Sequence, residues 1–425
     1  MKFNKQTLSN GLRLITVPMA DNPSVTVLVV VEAGSNYETK ETNGISHFLE
    51  HMVFKGTPTR PTASDISREL DSIGAQYNAF TSQEFTGYYA KAAARHTDKI
   101  IDVVSDMCIN PLFDEKEIAK EKGVIIEELR MYRDLPQRQV HNVMTRLLYG
   151  DQPAGWEIIG TEDTIKSFTR DSFVKYRDEN YVSSATTVIV AGTFDEKDMT
   201  AKIEKAFAKI LSGPKSGKLP VHESQKAPAI AVEAKETDQT HIVISFRTFS
   251  VNDPRIPAMS VMSAILGGGM SSRLFSKMRD ELGICYYIRG SHDGMTDHGN
   301  FSISAGVDNS RVELAVKEIL AECQRMASEP VSAAELQKAK DYIAGNTMLE
   351  LETSDSRAEF VGFDEAIKGK IEGPEEMIGK VNAVTAEDVQ KLARSVFVNE
   401  GLNLALIGRA KKESLEPVLQ FSHES

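Results

Sequence analysis

The chain has 425 residues, of which 41% are hydrophobic and 26% are charged, as expected for a globular protein with more than one domain. The net charge of −12 argues against a nucleic-acid-binding surface, and no window approaches the roughly 18 uninterrupted apolar residues of a membrane-spanning helix. Cys108, Cys285 and Cys323 are widely spaced and predict free thiols in a reducing compartment. Because no terminal stretch resembles a targeting signal, we expect the bacterial cytoplasm.

The N-terminal part of the sequence alternates between strand and helix patterns. Residues 12–17 and 24–32 predict strands, the second rich in valine. Apolar periodicity then predicts helices over 62–73 and 95–107 and a strand pair over 75–90. This alternation predicts an α+β fold in which a mostly antiparallel sheet is packed with helices.

The segment 44–53 predicts a helix that carries polar groups on one face. It puts His47, Glu50 and His51 together, with an apolar stripe opposite. Lys55 and the helix breakers after it end the pattern. Two histidines one turn apart can bind one metal ion, with the neighbouring glutamate as a base. On these residues alone, a metal site and a solvated helix face both stay open.

A second helix, opening near Phe113, offers carboxylates. Glu121 and Glu128 are two turns apart on one of its faces. A zinc site with two histidines needs a third protein ligand, which a carboxylate can supply. Without further information, an acidic solvated face balanced by nearby lysines is the simpler interpretation of both glutamates.

Taken together, the two helices show a family resemblance. The order His-x-x-Glu-His, with Glu128 at its distance downstream, resembles the pitrilysin-type inverzincin zinc metallopeptidases. The similarity is to the branch that contains the mitochondrial processing peptidase and its bacterial homologues. It extends over nearly the whole chain and includes residues 8–12, 74–82 and 267–275.

The resemblance gives each polar residue of the two helices a role. His47, His51 and Glu128 match the ligands of one Zn²⁺ per chain. Glu50 matches the general base, and Glu121 matches a carboxylate that fixes a ligand from outside the metal's own shell. The implied activity is zinc-dependent hydrolysis of peptide bonds.

The resemblance also implies a substrate-binding strand made by Asn78, Ala79, Phe80 and Thr81. By sequence alone this stretch is an ordinary hairpin strand. In the family it is an exposed sheet edge, to which an extended peptide adds as a further strand. Such binding uses backbone hydrogen bonds and makes little demand on the peptide's side chains.

A third set of residues lies in the second half of the chain. Arg279 and Tyr286 resemble the family's arginine and tyrosine pair, which is implied to hold a substrate carbonyl and the developing oxyanion. Taken alone, Arg279 would be a surface charge and Tyr286 a core aromatic. The adjacent Tyr287 is an alternative for the tyrosine.

An internal duplication relates the two halves of the sequence. Residues 169–192 can be laid on 385–408 one for one, each copy being a helix followed by an apolar strand that ends in glycine. In the same alignment the metal pentad falls on 263–267, which contains no histidine or glutamate. The first half alone can therefore hold the metal.

A polar stretch rich in glycine, proline and serine separates the copies. We therefore predict a zinc-binding catalytic half over 1–213, a linker over 214–226, and a homologous half without metal over 227–425 that contributes substrate contacts.

The predicted function is that of a zinc endopeptidase that hydrolyses unstructured peptides inside a closed chamber. The resemblance implies that two subunits form this chamber, as a homodimer or as a heterodimer with a related subunit. The alternative is a non-catalytic scaffold or peptide-binding subunit of a heteromeric complex. Such relatives usually lack part of the metal set, whereas here the set is intact.

Overall fold

The computed structural model describes residues 1–421. Its strands are β1 (Asn4–Thr7), β2 (Arg13–Pro18), β3 (Ser24–Val31), β4 (Gln76–Thr81), β5 (Thr86–Ala93), β6 (Thr186–Gly192), β7 (Ala229–Ala234), β8 (Gln239–Arg247), β9 (Cys285–Gly294), β10 (Gly299–Asp308) and β11 (Leu402–Gly408). Its α-helices are α1 (Ile45–Val53), α2 (Ala63–Asp71), α3 (Thr97–Ile109), α4 (Glu115–Asp134), α5 (Pro136–Tyr149), α6 (Glu162–Ser167), α7 (Arg170–Asn180), α8 (Glu196–Ala206), α9 (Ile256–Gly267), α10 (Arg273–Phe275), α11 (Val312–Ser328), α12 (Ala333–Glu350), α13 (Ser354–Phe363), α14 (Pro374–Ala383), α15 (Ala386–Val396) and α16 (Lys412–Leu415). Across these described residues, every helix is too short or too polar to cross a bilayer.

Two compact units divide the chain, and each is built from three stretches. The first contains Met1–Leu129, Trp156–Leu219 and Met348–Gly373. The second contains Arg130–Gly155, Pro220–Thr347 and the chain from Pro374 onward. The predicted halves, with boundaries at 213 and 227, were each one continuous stretch, whereas each observed unit also includes segments from the other half of the sequence. The end of the predicted second half, 422–425, lies outside the described residues.

The first unit is built on a six-stranded sheet in the order β1-β2-β6-β3-β5-β4. The pair β2 and β6 is parallel and the other neighbours are antiparallel. The central strand β3 is buried from Val25 to Val31, which explains why all of these residues except Thr26 are apolar. The predicted class, a mostly antiparallel sheet packed with helices, is confirmed.

The second unit repeats this plan. Its sheet has the order β7-β11-β8-β10-β9, which matches the order β2-β6-β3-β5-β4 of the first. The pair α7–β6 corresponds residue for residue to α15–β11, as the sequence alignment predicts. Both helices begin with a threonine capping box, at Thr169 and Thr385, and both strands end in a glycine with positive φ. The two halves are homologous.

Helix α13, which follows the second half's long helices in sequence, packs on the first sheet. Its buried Ala358 and Val361 contact the apolar face that includes Leu28, Val30 and Ile189. At its start, Ser354 Oγ lies 2.8 Å from Thr26 Oγ1. These contacts hold α13, which lies in the second half of the sequence, in the first unit.

Helix α5 lies in the first half of the sequence but packs in the second unit. Its buried side chains Val140, Met144 and Leu148 form one cluster with Val243 on β8 and Ile407 on β11. The amphipathic pattern of α5 requires an apolar surface but does not specify which of two similar sheets supplies it.

We expect Met144→Ala to destabilise the second unit by about 2–5 kcal/mol, because a 3% exposed side chain leaves a cavity between α5 and its sheet. Hydrogen exchange should then show faster exchange of amides in β8 and β11 and unchanged exchange in β3 and β5. Met131→Ala, the same change at a 51% exposed position, is the control and should alter stability by less than about 0.5 kcal/mol. Faster exchange confined to the first sheet would contradict this packing.

Candidate metal centre

Helix α1 forms where the sequence predicts it and buries the face it was expected to bury. Ile45, Phe48, Leu49, Met52 and Val53 are almost fully buried. The polar residues of the opposite face are half-buried. The helix ends at Val53, and its spacing holds the polar side chains on one side.

The three predicted ligands converge. The Nε2 atom of His47 lies 3.7 Å, and that of His51 3.5 Å, from Glu128 Oε2. One ligand atom from each residue lies within 4.8 Å of the other two. In the part of the chain that the structure describes, this is the one group of histidine, cysteine and acidic residues arranged to hold a metal ion. Two imidazole nitrogens and one carboxylate oxygen are a donor set that zinc accepts.

The protonation of His47 fits a metal ligand. Burial, together with the nearby His51, lowers the pKa of His47 to about 3. The imidazole is therefore neutral at physiological pH, which is the form that binds a metal. Its Nδ1 atom is buried and has no hydrogen-bond partner among the described residues. The residues present fit a zinc ion.

Glu121, which lies on α4, orients His51 of α1 through a hydrogen bond. Its Oε1 atom lies 2.9 Å from His51 Nδ1, and its Oε2 atom 2.7 Å from Lys55 Nζ. Burial raises the pKa of Glu121, but the bonds from His51 and Lys55 outweigh it and leave the pKa lowered. The ionised carboxylate only accepts, so His51 carries its proton on Nδ1 and keeps the Nε2 lone pair for a metal.

Lys55 is a site residue that the sequence did not reveal as one. It lies one turn after His51, and the sequence pattern made it only a sign that the helix ends. The structure identifies Lys55 by its position four residues after His51 and by its ion pair with the buried Glu121 on α4.

Glu50 lies beside the three predicted ligands and is held by a strand residue. The Oγ1 atom of Thr81 donates a hydrogen bond of 2.5 Å to Glu50 Oε2. Burial raises the pKa of Glu50, and the bond from Thr81 offsets part of that rise. A carboxyl group with a raised pKa is suited to take up and release a proton near neutral pH.

The predicted substrate strand is the end of the first sheet. Among the described strands, β4 pairs with β5 alone. The Ala79 N–H donates to Asn78 Oδ1 at 2.9 Å. The ring of Phe80 packs against Phe85 and Phe363, so its partly buried side chain is directed against the core of the first unit.

Arg279 and Tyr286 lie in the second unit and contact each other. The Arg279 Cζ atom is 5.5 Å from the centre of the Tyr286 ring. Tyr286 is 70% exposed, so the reading of it as a core aromatic is wrong. The hydroxyl of Tyr287 instead lies 3.0 Å from His241 Nδ1. Of the two neighbouring tyrosines, Tyr286 is therefore the one that presents its ring to its surroundings.

Comparison with known families matches both halves. Residues 13–162 match the family described as insulinase (peptidase family M16), and residues 167–343 match the peptidase M16 inactive domain. The second description agrees with the missing metal pentad in α9.

Relatives of similar length are named zinc proteases. The uncharacterized zinc protease YmxG of Bacillus subtilis is 36% identical over 410 residues, covering 95% of this chain and 98% of that protein. An uncharacterized zinc protease of Rickettsia felis is 35% identical over 396 residues, covering 93% and 95%. A protease from Helicobacter pylori has the same fold, with a TM-score of 0.90 at 22% identity over 96% of this chain and 99% of that one. The chain therefore belongs to the insulinase, or M16, family of peptidases, as the pitrilysin-type motif predicts.

Proposed function

We propose that this protein is a zinc-dependent endopeptidase that hydrolyses unstructured peptides. The observation that carries the proposal is the convergence of His47, His51 and Glu128 with the carboxyl group of Glu50 beside them. The relatives named zinc proteases support the same chemistry. A non-catalytic scaffold would need neither the complete ligand set nor a base next to it.

His47, His51 and Glu128 would hold the ion. When bound, Zn²⁺ supplies a Lewis acid that polarises the scissile carbonyl and lowers the pKa of water toward neutrality. Glu50 takes a proton from the attacking water and passes it to the leaving amine. Thr81 holds the Glu50 carboxylate in place for both transfers.

The substrate would bind along β4. An extended peptide could pair with the outer edge of Asn78 to Thr81 and take the place of Asn78 Oδ1 at the Ala79 N–H. This mode recognises backbone and excludes folded segments, whose backbone groups are already paired. It accounts for a preference for unstructured peptides without a strict sequence rule.

The remaining parts of the proposal rest on the family resemblance. They are the roles of Arg279 at a substrate carbonyl and Tyr286 at the oxyanion, and the closed chamber made by two subunits, identical or related. The compartment is inferred to be the bacterial cytoplasm, which agrees with the three free cysteines.

The test is hydrolysis of a mixed library of unstructured peptides, followed by mass spectrometry. Glu50→Gln should lower the cleavage rate by about 100-fold or more at equal zinc content, because it removes the proton acceptor and leaves the ligands in place. Glu204→Gln, the same change at an exposed position of α8, should keep the wild-type rate.

Equal cleavage rates for wild type and Glu50→Gln would show that Glu50 is not the general base. A wild-type protein that carries zinc and cleaves no peptide would favour the scaffold or peptide-binding alternative, or a requirement for a related subunit.

Glu121→Gln should weaken zinc binding by about tenfold, because a neutral amide holds the His51 tautomer less strongly and removes a negative charge near the ion. Affinity is measured by competition with a chelator at fixed pH. Glu117→Gln is the matched control, since Glu117 is on the same helix and pairs with Lys120. Unchanged affinity in Glu121→Gln would show that Glu121 does not support the ligand.

A further inference from the structure

Helix α1 begins after Gly44, a position where no side chain can cap the helix. The N-cap residue Gly44 has φ of +96°, and a Cβ atom there would lie 2.6 Å from the Ile159 carbonyl oxygen. The serine, threonine or aspartate that usually caps a helix would therefore collide with the neighbouring loop. The first N–H groups of α1 need an acceptor from elsewhere.

Glu38 supplies that acceptor from a preceding turn. Its Oε2 atom accepts from the Gly44 N–H and its Oε1 atom from the Ser46 N–H, each at 2.8 Å. The Asn43 amide also donates to Oε2, at 3.1 Å. Glu38 is 4% exposed, so these donors take the place of water around the carboxylate.

Capping a helix with a buried carboxylate costs desolvation free energy, which the hydrogen bonds of the carboxylate must offset. Burial raises the pKa of Glu38, although its hydrogen bonds lower it in part. Two acceptor atoms on one rigid group fix the N–H groups of Gly44 and Ser46 at once, and the negative charge is favourable at a helix N-terminus. The result is a helix start with one defined orientation.

The same end of the helix is tied at a further point. Ser46 Oγ lies 2.7 Å from the hydroxyl of the buried Tyr176 on α7. Asn43, which contacts Glu38, also donates to the Glu157 carbonyl oxygen at 3.1 Å. His47 is the next residue after Ser46, and Glu50 is one turn further.

We propose that Glu38 is a positioning residue of the zinc site: by fixing the first turn of α1 it sets the direction in which His47 and Glu50 project. The inference rests on the zinc site of the proposed function. It assigns to Glu38 an effect on metal binding that goes beyond stability, because a change in the first turn alters one ligand and leaves His51 and Glu128 in place.

The test compares Glu38→Gln with wild type in zinc affinity and in the visible absorption spectrum of the Co²⁺-substituted protein. The amide nitrogen would face one of the two N–H donors, so the first turn must shift. We expect zinc affinity to fall by about tenfold and the cobalt bands to change in position or intensity, since these bands report ligand geometry. Glu38→Asp keeps the charge but is shorter, and should give a smaller loss of affinity.

Glu32→Gln is the matched control. Glu32 is equally buried in the same unit but pairs with Arg13 and Lys215, so its loss should lower stability and leave zinc affinity and the cobalt spectrum as in wild type.

The possible outcomes are distinct. If Glu38→Gln does not fold, the zinc affinity and cobalt spectrum of Glu38→Asp test the inference. A folded Glu38 variant with wild-type zinc affinity and cobalt spectrum would overturn the inference. A wild-type protein that binds no zinc would instead overturn the proposed function.

Discussion

The site depends on holding two imidazole nitrogens and a carboxylate oxygen at one point. His47 and His51 come from α1 and Glu128 from α4, so the two helices must keep one mutual position within a few tenths of an ångström. Side chains on one helix are placed by its own geometry, but the position of Glu128 relative to them depends on how α1 and α4 are held in the first unit. The apolar face of α1 is almost fully buried, and the His51–Glu121 hydrogen bond links α1 to α4.

Polar contacts then fix what apolar packing leaves free. Glu38 holds the first turn of α1, and Glu121 with Lys55 holds the last turn through His51. Between these two attachments, Thr81 holds Glu50 from the edge strand. The proposed base is thereby tied to the strand along which a peptide is proposed to bind, so the proposed substrate binding and proton transfer would share one rigid element.

Much of this arrangement could be predicted from the sequence, and the reason is local periodicity. The polar face of α1 and the repeated α7–β6 and α15–β11 pairs follow from residues that are close in sequence. The exchange of α5 and α13 could not be predicted, because an amphipathic helix specifies an apolar partner surface without specifying which of two similar sheets provides it.

Two polar supports of the site, Lys55 and Glu38, could not be predicted for a related reason. The sequence made Lys55 only a sign that the helix ends and gave Glu38 no role, because their partners Glu121 and Ser46 come next to them only in the folded chain. Phe80, by contrast, lies in the predicted strand, but its partly buried ring packs against the core of the first unit.

Zinc K-edge X-ray absorption of the purified protein tests the proposed ligand set directly. Binding by His47, His51 and Glu128 predicts nitrogen and oxygen ligands at about 2.0–2.2 Å, with the outer-shell scattering of two imidazole rings. A sulfur shell at about 2.3 Å would place the ion on a cysteine and contradict it, as would a protein that takes up no zinc.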